Sequence, residues 1–196
     1  MSERRHPTFT SFSGTRQIAS GPLLVNALAL RQAADARTAD PLLLFDDQTG
    51  RNIDIDLRGT DSELVARFEE PASAATSPDS ESETRGRGRP KMGVVSREVT
   101  LLPRHWDWLN SQPGGASVTL RRLVDDARRT HADKDRLRAA QARAYQFMQA
   151  MAGDLPNFEA ATRALFANDL EQVRALLTAW PHDVARHALK LADAAA

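Results

Sequence analysis

The chain has 196 residues, 41% of them apolar, and a formal net charge of zero from 26 basic and 26 acidic side chains. It contains no cysteine, which excludes a disulfide scaffold, a thiolate zinc site and a cysteine nucleophile. No apolar run approaches the about 20 residues of a membrane span, and no apolar core follows the charged N-terminus, so the sequence predicts a cytoplasmic protein of one medium domain or two small ones.

Residues 1–70 carry eight Lys/Arg against eleven Asp/Glu. Thr8 to Phe12 alternates and ends at Ser13-Gly14, a turn signal, and Arg16 to Ala19 reads as a second short strand. Residues 21–36 start Gly-Pro and place Leu24, Ala27, Leu28 and Arg31 at helical spacing. Leu42-Leu43-Leu44-Phe45 is wholly apolar, the pattern of a strand central in its sheet. Asp46 to Gly50 is a turn by composition. Asn52 to Leu57 then sets Ile53, Ile55 and Leu57 against Asp54 and Asp56, which predicts a hairpin partner with one solvated face. Thr60-Asp61-Ser62-Glu63 is a capping box that opens a helix. The predicted order is ββαββα, a small α+β domain. Asp46, Asp47, Asp54, Asp56 and Asp61 are better explained by turn chemistry and a solvated strand face than by a metal site, because no calcium-type loop with a terminal Glu is present.

Residues 71–92 form a linker of two halves. The first is rich in Ser, Ala, Pro and acid and cannot bury a core. The second is Arg85-Gly86-Arg87-Gly88-Arg89-Pro90-Lys91. Glycines between the arginines leave an extended strip without bulk, and such a strip fits a minor groove about 6 Å wide. The tract resembles the AT-hook, a minor-groove peptide, and the resemblance implies that Arg85, Arg87, Arg89 and Lys91 contact A·T-rich DNA. These residues open a block, 85–131, with ten Lys/Arg against four Asp/Glu, a net of +6. Such a block is a local footprint for a polyanion.

Within residues 93–130, Val94 to Leu101 alternates as a strand. Pro103 stands where a helix begins, Trp106 and Leu109 share its inner face, and Pro113-Gly114-Gly115 breaks it. A second helix follows with Leu120, Leu123, Val124 and Ala127 at i, i+3, i+4 and i+7. The run Val99-Thr100-Leu101-Leu102-Pro103 through Gly115-Ala116-Ser117-Val118-Thr119-Leu120-Arg121-Arg122-Leu123-Val124 resembles the ribbon-helix-helix DNA-binding family. That resemblance implies a homodimer whose two strands pair into a ribbon in the major groove. Strand phase places Val99 and Leu101 inward and Ser96, Glu98 and Thr100 outward. Ser117, Arg121 and Arg122 of the second helix join Ser96 and Thr100 as candidate DNA contacts. Glu98 departs from the family pattern, because a carboxylate on the outer face repels phosphate.

Residues 131–196 read as α-helical. Leu137, Ala140, Ala144, Phe147, Met148 and Met151 stripe a helix over 131–152, and Gly153 ends it. Phe158, Ala161, Leu165 and Phe166 follow Pro156-Asn157, Asp169 to Trp180 adds Leu170, Val173, Leu176 and Leu177, and Pro181 opens a last helix with Val184, Ala188 and Leu189 inward, which predicts a compact bundle or a hairpin pair. The tract Arg97 to Trp106, together with the order of segments, also resembles an uncharacterised bacterial family of unknown function.

The sequence thus predicts a DNA-binding protein, a transcriptional regulator or nucleoid-associated factor, acting as a homodimer on A·T-rich DNA. The competing expectation is an adaptor whose helical region binds a protein partner and whose basic tract is only a linker. No cofactor and no metal are expected. Neither is an enzyme, since no P-loop, dinucleotide-binding turn or nucleophile–base set is present.

Overall fold

The computed structural model describes residues 8–68 and 95–194. Its contacts divide the chain into two compact units, one of residues 1–71 with 133–196 and one of residues 72–132. The α+β N-terminal segment and the helical C-terminal segment, expected as separate regions, therefore pack as one unit.

In the first unit, β1 (Phe9–Ser13), β2 (Arg16–Gly21) and β3 (Leu42–Asp46) form an antiparallel sheet of order β2-β1-β3. The tight β1–β2 hairpin turns at Gly14, whose φ of +57° is left-handed. Helix α1 (Leu23–Asp35) and helix α2 (Asp61–Phe68) complete the N-terminal part. β1 is buried along nearly its whole length because both of its faces are covered. On one face, Ser11 donates to Asn26 of α1 at 2.9 Å, and the Asn26 amide donates to the carbonyls of Phe9, Gly21 and Pro22. On the other, Phe12 meets Phe45 edge-on at 6.0 Å between ring centroids and Phe147 at 5.5 Å.

Two expectations are corrected here. β3 is an edge of the described sheet, and β1 is its centre. The predicted strand over Asn52–Leu57 is absent: only an isolated bridge, Asn52 to Phe45, continues the sheet. Ile53, Ile55 and Leu57 are half-buried while Asp54 and Asp56 are exposed. The alternation thus reports burial, while the chain has already left the ladder. Asp56 turns instead onto Arg58 and the side chain of Arg67. The observed order is ββαβα. The capping box does form: Glu63 accepts from the Thr60 amide at 2.6 Å and Thr60 Oγ1 accepts from the Glu63 amide at 3.3 Å.

Helix α4 (Gly115–Ala152) is one element of 38 residues. The break expected near residue 131 does not occur, because Ala127 to Asp133 holds no Gly or Pro. Ion pairs Arg129–Asp126, Arg136–Asp133 and Arg138–Asp135 stitch consecutive turns. In the first unit its C-terminal half packs with α5 (Phe158–Phe166), α6 (Leu170–Leu176), a 3₁₀ turn (Leu177–Ala179) and α7 (His182–Ala192). Phe147, Met148, Leu165, Leu177, Val184 and Ala188 form the core with Phe12 and Phe45. Asn157 in left-handed conformation starts α5. The Asp169 carboxylate caps α6 by accepting from the Gln172 amide at 3.0 Å. Trp180 Nε1 donates to the Pro156 carbonyl at 2.7 Å and ties the ends of this helical run together.

The second unit contains α3 (Pro103–Ser111) and the start of α4. Pro103 opens α3, as its fixed φ favours. Pro113-Gly114-Gly115 makes the turn, with both glycines at positive φ. Residues 95–102 form no strand. A strand is stabilised by a neighbour's ladder, and no neighbour is present among the described residues.

Candidate nucleic-acid interface

Of the predicted contacts, Arg85, Arg87, Arg89 and Lys91 lie outside the described residues. Ser96 and Thr100 are exposed in a segment without secondary structure. Ser117 is exposed in the first turn of α4, and Arg121 and Arg122 follow on the next turns, Arg121 and Arg122 both at the helix surface.

The helix sharpens this placement. At about 100° per residue, Arg121, Arg122, Arg128 and Arg129 fall within one face roughly 120° wide. Val118, Asp125 and Ala132 lie between them, and together they line a shallow groove of about 710 Å³ along the helix surface. Arg129 is held by Asp126. Arg121, Arg122 and Arg128 have no ion-pair partner among the described residues, and Asp125 shares the face without pairing to any of them. Elsewhere Arg58, Arg67, Arg136, Arg138 and Arg186 each meet a carboxylate. Free guanidiniums at this spacing offer several donors to phosphate oxygens.

Arg128 and Arg129 are not among the sequence candidates. The i+7 repeat from Arg121 and Arg122 signals them, since the second helix of the sequence reading already runs to Ala127. The opposite face of α4 holds Leu120, Leu123, Val124 and Ala127. Leu123 is 42% exposed and Val124 54%. Leu109 is the only buried apolar side chain among the described residues of the second unit. One buried leucine stabilises by about 2 kcal/mol, less than the entropy cost of ordering even a few residues.

The first unit holds the other cluster of chemical groups. Asp47 is buried just after β3. Its Oδ1 accepts from Thr10 at 2.8 Å and its Oδ2 from Lys190 of α7 at 3.0 Å. His187 Nε2 lies 3.5 Å from Asp47 Oδ1, is buried, and makes no hydrogen bond. Its ring packs edge-on against Phe147 and Phe12. No group of three or more potential metal ligands occurs among the described residues. The acidic residues weighed as a metal site are dispersed. Asp46 satisfies its own turn, Asp56 pairs with Arg58, and Asp61 with Arg31.

Burial holds the His187 pKa down to about 4 against the attraction of Asp47, with Lys190 and Arg186 also lowering it. The folded state therefore refuses a proton that the unfolded state accepts below about 6.5. Stability is complete above that pH and declines as pH falls from about 6.5 to 4, by roughly 2–3 kcal/mol across the window. Melting temperature measured against pH should show this decline in the unsubstituted protein. In His187→Gln, less stable throughout, the decline between pH 6.5 and 4 should largely vanish.

A family profile described as "Uncharacterized protein conserved in bacteria (DUF2239)" matches residues 8–192. No curated protein matches the chain, and no solved structure does. No helix among the described residues is long and apolar enough to cross a membrane.

Proposed function

Because the chain belongs to this bacterial family, whose description names no activity, its own residues must supply the functional reading, and we propose that it is a DNA-binding protein, a transcriptional regulator or nucleoid-associated factor. The arginine face of α4 is the observation that carries the reading. Three guanidiniums without an ion-pair partner among the described residues, and a fourth, lie in one groove, in the same +6 block as the Arg-Gly tract. In this reading the α4 face neutralises phosphates, and Arg87 and Arg89 enter an A·T-rich minor groove. Phosphate contacts position the protein, and the Arg-Gly tract supplies base-composition preference.

The functional species in this reading is a homodimer. Val95, Val99, Leu102, Trp108, Leu123 and Val124 are large apolar side chains left exposed in the second unit. A second copy pairing residues 94–101 as antiparallel strands, in the ribbon-helix-helix manner, gives those strands their ladder and covers apolar surface. Glu98 is exposed and weakens the case for base reading by such a ribbon. In the adaptor alternative the helical region binds a protein partner and the basic tract is only a linker, and deleting residues 131–196 is its natural test. Residues 133–196 share a core with the N-terminal sheet, so deleting them would remove half of the first unit and would not separate the two readings.

Binding of fluorescent A·T-rich and G·C-rich duplexes across salt concentrations tests the proposal. Arg121→Ala/Arg122→Ala/Arg128→Ala/Arg129→Ala should weaken binding at least about tenfold and lower the slope of log K against log salt by roughly three to four. Arg87→Ala/Arg89→Ala should remove the A·T preference. Absence of duplex binding by the unsubstituted protein at low salt rules the reading out.

A further inference from the structure

The second unit of the chain does not cover its own apolar surface. Among the described residues, seven of the nine exposed large apolar side chains belong to it. On α4, Leu120, Leu123, Val124 and Ala127 make one face, and Leu123 and Val124 are about half exposed. The rest of the chain holds no matching surface to lay on that face. Outside the described residues the only large apolar residues are Met1, Met92 and Val94. Among the described residues of the first unit, the exposed ones are Val25 and Phe166. A second copy supplies the missing surface in equal amount. Six side chains near half exposure present on the order of 500 Å² per copy, so a pair reaches roughly 1,000 Å², the lower bound of a specific interface. We propose that two copies pack through this α4 face, so that their arginine faces point apart and one dimer bridges two separate duplexes. The bridging rests on the DNA-binding reading, whereas the seam between copies does not.

The angle between the two faces carries the inference. At about 100° per residue, Leu120, Leu123, Val124 and Ala127 centre about 150° around the helix from Arg121, Arg122, Arg128 and Arg129. A helix that buries the first set against a partner turns the second set outward. Val118 and Asp125 lie with the arginines and so stay outside the seam. Two helices pack with their axes about 8–10 Å apart, and each is about 10–12 Å across with its side chains. The two arginine faces of the pair therefore lie back to back, roughly 20 Å apart. A straight duplex that touches one face cannot reach the other. A dimer that reads one site with both protomers needs its two contact faces on the same side. Here the pair presents two independent phosphate-binding faces, an arrangement that holds two duplex segments together.

Two measurements on the full chain test the proposal. Light scattering of the free protein and of its complex with a short duplex should give a dimer that carries two duplexes. Separately, a biotinylated duplex on beads should retain a second, fluorescent duplex only when the protein is present. Leu123→Glu/Val124→Glu should yield monomers with unchanged circular dichroism that still bind duplex. Bead retention should fall at least about tenfold in that variant, because an unpaired carboxylate is costly to bury in the seam. Arg121→Ala/Arg122→Ala/Arg128→Ala/Arg129→Ala should stay dimeric and lose retention. The stoichiometry stands even if the glutamate variant fails to fold. A monomeric protein, a dimer that carries a single duplex, or retention that survives in a monomeric Leu123→Glu/Val124→Glu would each overturn the proposal. A dimer that the glutamates dissociate but that binds no duplex would reject the DNA-binding reading, and the bridging with it, while the seam would stand.

Discussion

Gly50→Ala should unfold the first unit or lower its melting temperature by well over 10 °C, with a loss of at least about 4 kcal/mol. Gly50 follows β3 with φ +68°, and a Cβ built there would lie 1.8 Å from the Arg143 carbonyl oxygen of α4. The left-handed backbone alone costs an alanine about 1–2 kcal/mol. The collision costs more, because the obstructing atom is helix backbone and has no rotamer to change. Relief requires the turn and α4 to separate, and that would open the contact of Phe45 with Phe147, whose ring centroids lie 4.9 Å apart. Gly21→Ala is a control within the same unit. Its φ is +139° and nothing lies within 4 Å of the added carbon. Thermal melts of the two variants therefore isolate close approach from backbone strain. Equal, small losses would show that the turn does not press on α4.

Asp47→Ala should cost about 3–5 kcal/mol, the range for removing one partner of a buried charged network. The loss would leave the Thr10 hydroxyl with Ser20 as its remaining side-chain partner among the described residues, remove the carboxylate beside His187, and free Lys190. Lys190 is 49% exposed, so water replaces much of what it loses. The greater part of the cost belongs to the inside of the network. Asp47→Asn keeps an acceptor for Thr10 and should cost about 1–2 kcal/mol. Denaturant melts of both, combined with Lys190→Ala in a double-mutant cycle, give the Asp47–Lys190 coupling directly. A loss below about 1 kcal/mol for Asp47→Ala would show that solvent already reaches the cluster.

Local signals in the sequence are legible where a single segment decides its own conformation. The Thr60–Glu63 box, Pro103 at the start of α3 and Asp169 at the start of α6 all act through atoms within a few residues. Helical stripes such as Phe147–Met148–Met151 also read correctly, because the 3.6 period does not depend on what the face meets. Strand pairing is less legible. The apolar run of β3 signals burial on both faces, which α1 and the helical half of the unit provide without a strand on each side. Asn52–Leu57 shows the converse, period-2 burial without a ladder. The union of residues 8–68 with 133–194 is invisible locally, since Phe12 meets Phe147 and His187 across more than a hundred residues. At the candidate interface, Arg121 and Arg122 lie on the helix surface as expected. Arg128 and Arg129, one i+7 step further, share their face at about 100° per residue, a spacing already legible in the sequence.

That same long-range closure orders events during synthesis. The sheet leaves the ribosome early, yet the side chains that cover Phe12 and Phe45 come from α4 and α7, which are made late. Residues 72–132 are, topologically, an insertion within the first unit. Until α7 emerges, the nascent chain carries a bare aromatic surface beside an edge strand, a combination prone to aggregation. A chain stalled before His182 is therefore a candidate chaperone client, whereas residues 95–132 have emerged before the first unit can close.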